Sequence, residues 1–370
     1  MPEDDFASVV NDEDSVTDEA VEVEEQSLDI LPRFEITAYG ADYPVDALVK
    51  RFDANDIEVP QWQRGWVWSK RDAARFIESL LLGLPVPGIF LYLEPDTRKL
   101  LVVDGQQRLR SLVAYYNNDL DGGPFRLPQR QLSRYQPVNQ DFAGRAYREL
   151  EDADRRTLDN QIIHATVVKQ DAPEGDLSIY HLFERINSTG VRLQPQEIRS
   201  VVYRGRLDDL LQELNTDTQW REIYGQPSRH LKDQELILRF LALFFDLDAY
   251  ERPMTDFLNF FMQLNRNADL EVIGRFRNSF VRTIHANYEA LGRTAFRPER
   301  TLNAAVFDAA MVGLARRLSV EPPPDKARVR AAYEGLLGNE AFRDAYLKAT
   351  SDAGSVRERV GLATAAFKPI

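Results

Sequence analysis

The chain has 370 residues, of which 44% are hydrophobic, and it contains no cysteine. The length allows one large domain or two of ordinary size, and the missing thiols exclude disulfides, zinc–thiolate sites, iron–sulfur clusters and cysteine nucleophiles. The sequence shows neither an apolar run of 18 residues nor a basic, apolar leader, so we expect a soluble cytoplasmic protein with no membrane contact.

The net charge of −13 is concentrated near the N-terminus. Residues 1–32 hold twelve acidic side chains and no Lys or Arg, so residues 33–370 carry the difference between −13 and −12, a net charge of −1. Such an acidic segment has too little apolar surface to offset the entropy of ordering, and we predict that it is disordered. Two roles stay open for it: a solubilising tail, or an acidic mimic of DNA that covers a basic groove of the body.

Globular patterning begins at Phe34, where "RFEITAYGA" is typical of a strand and "PVDALVKRFD" of a short helix. A helix is predicted over 70–82. Ser69 is a suitable N-cap, apolar residues follow at spacings of three and four, and Gly83 ends the pattern. Two strands, Gly88–Glu94 and Lys99–Asp104, follow, and then a helix over Gln106–Asn117.

Residues 120–160 are polar and rich in turn formers, which predicts irregular structure. A strand is predicted at 162–169 and helices at "GDLSIYHLFERIN" and from Pro195. Every later segment has helical periodicity, and the predicted helices are 207–214, 231–246, 255–265, 271–290, 299–318, 325–337 and 355–366. The layout therefore predicts three parts: an acidic leader at 1–32, an α+β domain at 33–205 and an all-helical domain at 206–370.

The stretch "LLVVDGQQRLRSLVAYY" joins a buried strand directly to a helix through Asp104 and Gly105. Such a junction gathers backbone N–H groups, the positive helix end and a carboxylate, and glycine lets the main chain approach a ligand. The first turn adds two amides, Gln106 and Gln107, and a guanidinium, Arg108, which suits a phosphate. Two interpretations stay open on composition alone: an anion cradle with a metal or water holder, or a carboxylate that simply caps the helix.

A second polar and aromatic stretch is "PQWQRGWVWS", where Arg64 lies among Trp62, Trp66 and Trp68. An arginine among indole rings is typical of a surface that faces bases or phosphates. The alternative is an aromatic core hinge in which Arg64 pairs with an acid.

The stretch "FERINSTGVRLQPQEIR" places Arg185, Asn187 and Glu197 close to a helix end, where they either converge on one ligand or serve as ordinary helix-end residues. His164, His181, His230 and His285 are scattered without metal-ligand spacing, so we interpret them as structural. No Walker-type phosphate loop is present.

Four segments in this order, "VPQWQRGWVWSKRDAARFIESLLLGLPVPGIFLY", "VVDGQQRLRSLVAYY", "LFERINSTGVRLQPQEIR" and "LKDQELILRFLALF", resemble the N-terminal domain of GmrSD-type modification-dependent restriction enzymes. The same domain is found in SspE-type phosphorothioate-sensing defence proteins, and the DGQQR pentapeptide is its hallmark. The resemblance covers about residues 36–365. It implies a ParB/sulfiredoxin-like α+β core followed by a helical half.

The resemblance also implies roles for the matching residues. DGQQR is implicated in NTP binding and hydrolysis, which makes Asp104, Gln106, Gln107 and Arg108 the catalytic candidates. Gly105 and Arg108 are expected at the nucleotide phosphates, with Arg64 and Asn187 nearby, and Asp104 is expected to hold Mg²⁺. No motif identifies the base of the NTP.

The chain departs from the restriction members because no HNH-type nuclease centre is recognisable in it. We therefore expect an NTP-hydrolysing sensor or regulator in a prokaryotic restriction or phage-defence system, acting at plain or modified DNA with a separate nuclease subunit. An oligomer is compatible with the sequence. Two alternatives stay open: a non-catalytic DNA-binding module, in which Trp62, Arg64 and Trp66 face DNA, and a ParB-like nuclease that acts alone.

Overall fold

The computed structural model describes residues 16–17, 36–59, 68–94, 97–120, 122–129, 139–170, 180, 183, 194–228, 230–348 and 351–370. Within them the chain is α+β, with a five-stranded sheet and helices in the N-terminal half and mostly helices in the C-terminal half. This arrangement confirms the predicted fold class.

Two compact units divide the chain between Leu193 and Gln194. The α+β unit comprises residues 32–193, and the helical unit contains residues 194–370. The boundaries predicted after residues 32 and 205 stay predictions. Of the acidic leader, only strand β1 (Val16–Thr17) lies within the described residues, and it pairs in parallel with Leu302–Asn303.

One mixed sheet organises the α+β unit. Its strands are β2 (Ile36–Pro44), β3 (Ile57–Glu58), β4 (Ile89–Leu93), β5 (Leu100–Asp104) and β6 (Ile162–Gln170). They follow the order β2-β6-β4-β5-β3, in which β2–β6 and β4–β5 are antiparallel while β6–β4 and β5–β3 are parallel. The strands predicted from the four apolar runs of this region are confirmed.

Helices cover one face of this sheet. They are α1 (Val45–Asp53), α2 (Lys70–Leu81), α3 (Gln106–Asn117) and α4 (Asp152–Asn160). Their apolar sides form one core with inward strand residues such as Leu91, Val102 and Val167, all fully buried. Because a helix packs against a sheet through one apolar stripe, the spacing of apolar residues in α2 already predicts its buried side.

The other sheet face is buried along β4 and β5. Tyr92, Leu101 and Val103 point away from the α1–α4 core and are each at most 5% exposed. The ring of Tyr92 meets that of Phe183 edge to face, with a centroid distance of 5.8 Å. Burial on both faces explains why β5 reads as a continuous apolar run rather than an alternating one.

The region predicted to be irregular, residues 120–160, differs from the prediction. It contains α4 and a 3₁₀ turn at Tyr147–Glu149. Helix α4 has the sequence "DADRRTLDN" and buries only Leu158, so it lacks the repeated apolar positions that announce a helix.

The helical unit is built from amphipathic helices and short connections. Its helices are Pro195–Val202, Arg206–Leu214, Thr218–Tyr224, Lys232–Asp246, Met254–Asn265, Leu270–Leu291, Ala304–Val320, Lys326–Leu337, Glu340–Leu347 and Ala353–Phe367. The long predicted helices are confirmed, whereas Thr218–Tyr224 and Glu340–Leu347 were not predicted because they span only two turns each. No helix in the described part of the chain is both long and apolar enough to cross a membrane.

The core of the helical unit contains paired charges. Asp308, fully buried, accepts hydrogen bonds from Arg239 at 3.2 and 2.6 Å and from Arg359 at 3.3 Å. Burial lowers the pKa of Arg359 and Asp308 opposes that shift. These charges join three helices of the unit, and Asp308 and Arg359 are fully buried, so their role is structural.

Candidate functional site

The predicted junction between β5 and α3 is present. Gly105 lies between Asp104, the last strand residue, and Gln106, the first helical residue, and it occupies the N-cap position with φ of 92°. No capping side chain donates to or accepts from the first turn of α3 at this position. The helix start therefore keeps its positive end available for a ligand.

Gly105 is required at this point by space as well as by backbone angle. A Cβ atom there would lie 2.5 Å from Cγ2 of Ile89 and 3.3 Å from Nε of Arg108. The main chain of the junction thus packs directly against β4. Any larger residue would push apart the strand end and the helix start that carry the polar groups.

A β-bulge in β5 precedes the junction. Asp104 pairs with Phe90 whereas Val102 pairs with Leu91, so Val103 is an extra residue on β5. Bulges redirect the side chains that follow them and are frequent beside functional sites. Here the bulge decides the direction in which Asp104 leaves the sheet.

Asp104 and Arg108 form an ion pair one helical turn apart. Nη2 of Arg108 donates to Oδ2 of Asp104 at 2.7 Å. The arginine side chain is 14% exposed and the aspartate 40% exposed, so the pair lies at the edge of the unit and faces solvent. A guanidinium has five N–H donors, and this contact leaves others for an anion.

The two glutamines of the motif have different surroundings. Oε1 of Gln106 is buried and has no hydrogen-bond partner among the residues that the structure describes. Oε1 of Gln107 accepts the Trp68 N–H at 3.3 Å, and its carbonyl oxygen accepts the Ser111 hydroxyl at 2.6 Å. Gln106 therefore has an acceptor to offer to a ligand or a water, whereas Gln107 ties α3 to the segment before α2.

Trp68 was not predicted to contribute through its main chain, and sequence spacing gave no signal for the contact, since Trp68 and Gln107 are 39 residues apart. Its ring packs edge to face on Phe76 at 5.8 Å. The contact brings the end of the tryptophan-rich stretch to the junction.

Several predicted site residues lie outside the described residues. They are Trp62, Arg64 and Trp66, predicted to face nucleotide or DNA, and Asn187, predicted beside the nucleotide. Arg185 lies outside them too, so its convergence with Glu197 stays untested. Glu197 itself accepts the Gln194 N–H at 2.6 Å as part of a capping box, and burial raises its pKa.

The donor set suits Mg²⁺ bound together with a nucleotide. The described residues hold no group of three or more His, Asp or Glu that could form an all-protein metal site. Mg²⁺ commonly uses one or two carboxylates plus substrate phosphates and water, and Asp104 supplies one carboxylate at the junction. The residues present therefore fit a metal that arrives with a phosphate ligand.

The histidines lie elsewhere and contact carboxylates. Nδ1 of His164 lies 2.6 Å from Asp42, Nε2 of His285 2.9 Å from Asp217, and Nδ1 of His230 3.5 Å from Glu197. The structural role predicted for these three stays a prediction. His181 lies outside the described residues.

Comparison with protein-family models matches residues 46–203 to the GmrSD restriction endonuclease, N-terminal domain. A search of curated proteins found no match. The matched range contains β5, Gly105 and α3, and three of the four sequence segments that carry the resemblance. The fourth segment, "LKDQELILRFLALF", lies beyond it. The family match confirms the predicted resemblance for the α+β unit.

Proposed function

The chain contains a GmrSD-type N-terminal domain at residues 46–203, and from this premise we propose that it is an NTP-binding and NTP-hydrolysing sensor or regulator of a prokaryotic restriction or phage-defence system. In this proposal it acts at DNA, plain or modified, with a separate nuclease subunit. The observation that carries the proposal is the buried, unpartnered amide oxygen of Gln106 at an uncapped helix start. No side-chain hydrogen bond caps the start of α3, and the Asp104 carboxylate accepts from Arg108 instead.

Each residue of the junction has a different role in this proposal. The first-turn N–H groups of α3 and the guanidinium of Arg108 hold phosphate oxygens. Oε1 of Gln106 accepts a hydrogen bond from the attacking water and so orients it toward the terminal phosphate. Gln107, held by Trp68 and Ser111, keeps the first turn in place.

Asp104 is the carboxylate that would hold Mg²⁺, which supplies charge stabilisation at the phosphates when it is bound. The ion pair with Arg108 orients Asp104 before the nucleotide arrives. On binding, the pair would open enough for Arg108 to add a phosphate contact.

The first test is phosphate release by the purified full chain with each NTP and Mg²⁺, with and without plain and modified DNA. Asp104→Asn and Gln106→Leu should each lower the rate about 100-fold, because each removes one preorganised polar group at the reacting phosphate. Arg75→Ala is the matched control, since Arg75 is an exposed residue of α2, and it should leave the rate unchanged.

Each outcome of this experiment is decisive. Activity that persists in both Asp104→Asn and Gln106→Leu would place hydrolysis elsewhere and reject the assignment. No phosphate release with any NTP or DNA, together with DNA binding that Arg108→Ala abolishes, would identify a non-catalytic DNA-binding module. DNA cleavage by the chain alone would support a ParB-like nuclease instead.

A further inference from the structure

A groove of about 600 Å³ lies in the α+β unit at the start of β5, the end of the strand opposite Asp104. We call it the Tyr39 groove. Its polar and aromatic lining consists of Tyr39, Tyr43, Arg51, Asp56, Arg98 and Lys99. It falls within the size range of ligand pockets.

Strand pairing and the end of α1 create this groove. Tyr39 pairs with Val167 and Tyr43 with Ile163 across β2 and β6, so both tyrosines lie on the helix-covered face of the sheet. The main chain of Asp56 connects the end of α1 to the start of β5. Its N–H donates to the Arg51 carbonyl and its carbonyl accepts the Leu100 N–H, both at 2.9 Å.

The groove carries an excess of positive charge. Three cations, Arg51, Arg98 and Lys99, face one acid, Asp56. Lys99 pairs with Glu58, whereas Arg51 and Arg98 have no carboxylate partner among the described residues. In a body whose net charge is near zero, this is a local concentration of unneutralised guanidinium groups.

Aromatic surface accompanies the charge. The guanidinium carbon of Arg51 lies 5.4 Å from the centroid of the Tyr43 ring, so the ring fixes the direction of the guanidinium. Tyr39 lies on the outer edge strand and is 46% exposed. A cation held over one ring beside a second, exposed ring is the combination that binds a phosphate and a stacked base.

We propose that the Tyr39 groove binds a nucleotide unit within a nucleic-acid strand. Arg51 and Arg98 hold backbone phosphate, and the Tyr39 ring stacks on a base. The cations are open to solvent, as expected for a strand that enters and leaves the groove rather than for a fully enclosed small molecule. The inference shares DNA with the proposed function but does not rest on NTP hydrolysis.

The test is fluorescence anisotropy of labelled single-stranded and duplex oligonucleotides with the full chain at 50 and 200 mM salt. Arg51→Ala/Arg98→Ala should weaken binding at least 10-fold at 50 mM salt. It should also lower the slope of log affinity against log salt by about 1.4 for a single strand, because two phosphate contacts are lost. Lys50→Ala is the matched control, since Lys50 neighbours Arg51 but pairs with Asp46 at 2.7 Å.

Substitutions of Tyr39 test base stacking separately from phosphate binding. Tyr39→Ala should weaken binding roughly fivefold or more with the salt slope unchanged, and Tyr39→Phe should restore affinity because it restores the ring. Circular dichroism and thermal melts establish that each variant is folded. Tyr39→Phe also separates loss of stacking from loss of structure.

Three outcomes would overturn the inference. One is unchanged affinity in Arg51→Ala/Arg98→Ala, and another is an equal loss in Lys50→Ala. The third is displacement of the oligonucleotide by free NTP with an affinity that the groove substitutions abolish, which would assign the groove to a free nucleotide. Asp104→Asn run in parallel distinguishes the two proposals, since it should lower the rate of phosphate release about 100-fold and leave oligonucleotide affinity unchanged.

Discussion

One ion pair from each unit shows how burial changes what a carboxylate can do. In the helical unit, Asp308 and Arg359 are fully buried and contact each other across helices. In the α+β unit, the ion pair of Asp104 and Arg108 lies at a strand end, with the carboxylate 40% exposed. A carboxylate in the first setting holds the fold together, and one in the second is available to a ligand. The same substitution should therefore have different consequences in the two units.

The largest expected effect is at Asp308. Asp308→Ala should lower the free energy of unfolding by about 3–5 kcal/mol, because it leaves Arg359 and Arg239 without their buried counter-charge. Urea denaturation of the full chain, followed by circular dichroism, measures the change.

Two control variants should change the free energy of unfolding much less than Asp308→Ala does. Asp344→Ala breaks an exposed pair with Lys348 and should change the unfolding free energy by less than about 1 kcal/mol. Asp104→Asn should likewise be nearly neutral for stability, although we expect it to lower the proposed phosphate release about 100-fold. A neutral Asp308→Ala would remove the distinction between the two units.

The next effect is a pH dependence in the helical unit. Burial raises the pKa of Asp208 to about 6, although hydrogen bonds from Ser200 and Gln212 oppose the shift. The folded state therefore binds the proton more tightly than the unfolded state does. Stability should fall by up to about 3 kcal/mol as pH rises from about 4 to about 6.

Asp208→Asn isolates this contribution. The variant cannot ionise, so it should be more stable than the parent chain at pH 7, and its advantage should disappear near pH 4. Urea midpoints of both proteins at pH 4.5 and pH 7 measure the difference. An advantage of equal size at both pH values would point to packing rather than ionisation.

The smallest effect concerns the glycine of the junction. Gly105→Ala should lower stability by about 2 kcal/mol, since alanine is strained at φ of 92° and its Cβ would meet Ile89. Gly122→Ala is the matched control, because Gly122 has φ of 75° but open space around its Cα, and it should lose only about 1 kcal/mol. Equal losses in the two variants would show that Ile89 moves aside without cost.

Local sequence signals predicted most of the α+β unit. Ser69 and Asp72 announce the start of α2 through the capping box that the structure contains, and the Asp-Gly step announces the start of α3. Signals of this kind involve residues within one or two helical turns of each other, so they can be recognised in the sequence without knowledge of the tertiary structure. Helix α4 was missed for the same reason, since Leu158 is its single buried residue.

Features that depend on strand pairing could not be predicted. The bulge at Val103 follows from the register between β4 and β5, and the contact of Gln107 with Trp68 joins positions 39 residues apart. The Tyr39 groove requires the order β2-β6-β4-β5, which no spacing in the sequence encodes. The candidate functional residues could be predicted from the sequence, but which of them lie next to each other depends on the strand pairing of the sheet.

Strand β5 sets the distance between the Tyr39 groove and the DGQQR junction, which lie at its two ends. The Tyr39 groove lies at Leu100 and the DGQQR junction begins at Asp104. The four residue steps between them include the bulged Val103, so at about 3.3 Å per step the separation is at most about 13 Å. Both faces of this strand are buried, so it can neither stretch nor bend easily. The strand therefore works as a molecular ruler: a nucleic-acid strand at one end and a nucleotide at the other would be kept at one fixed spacing.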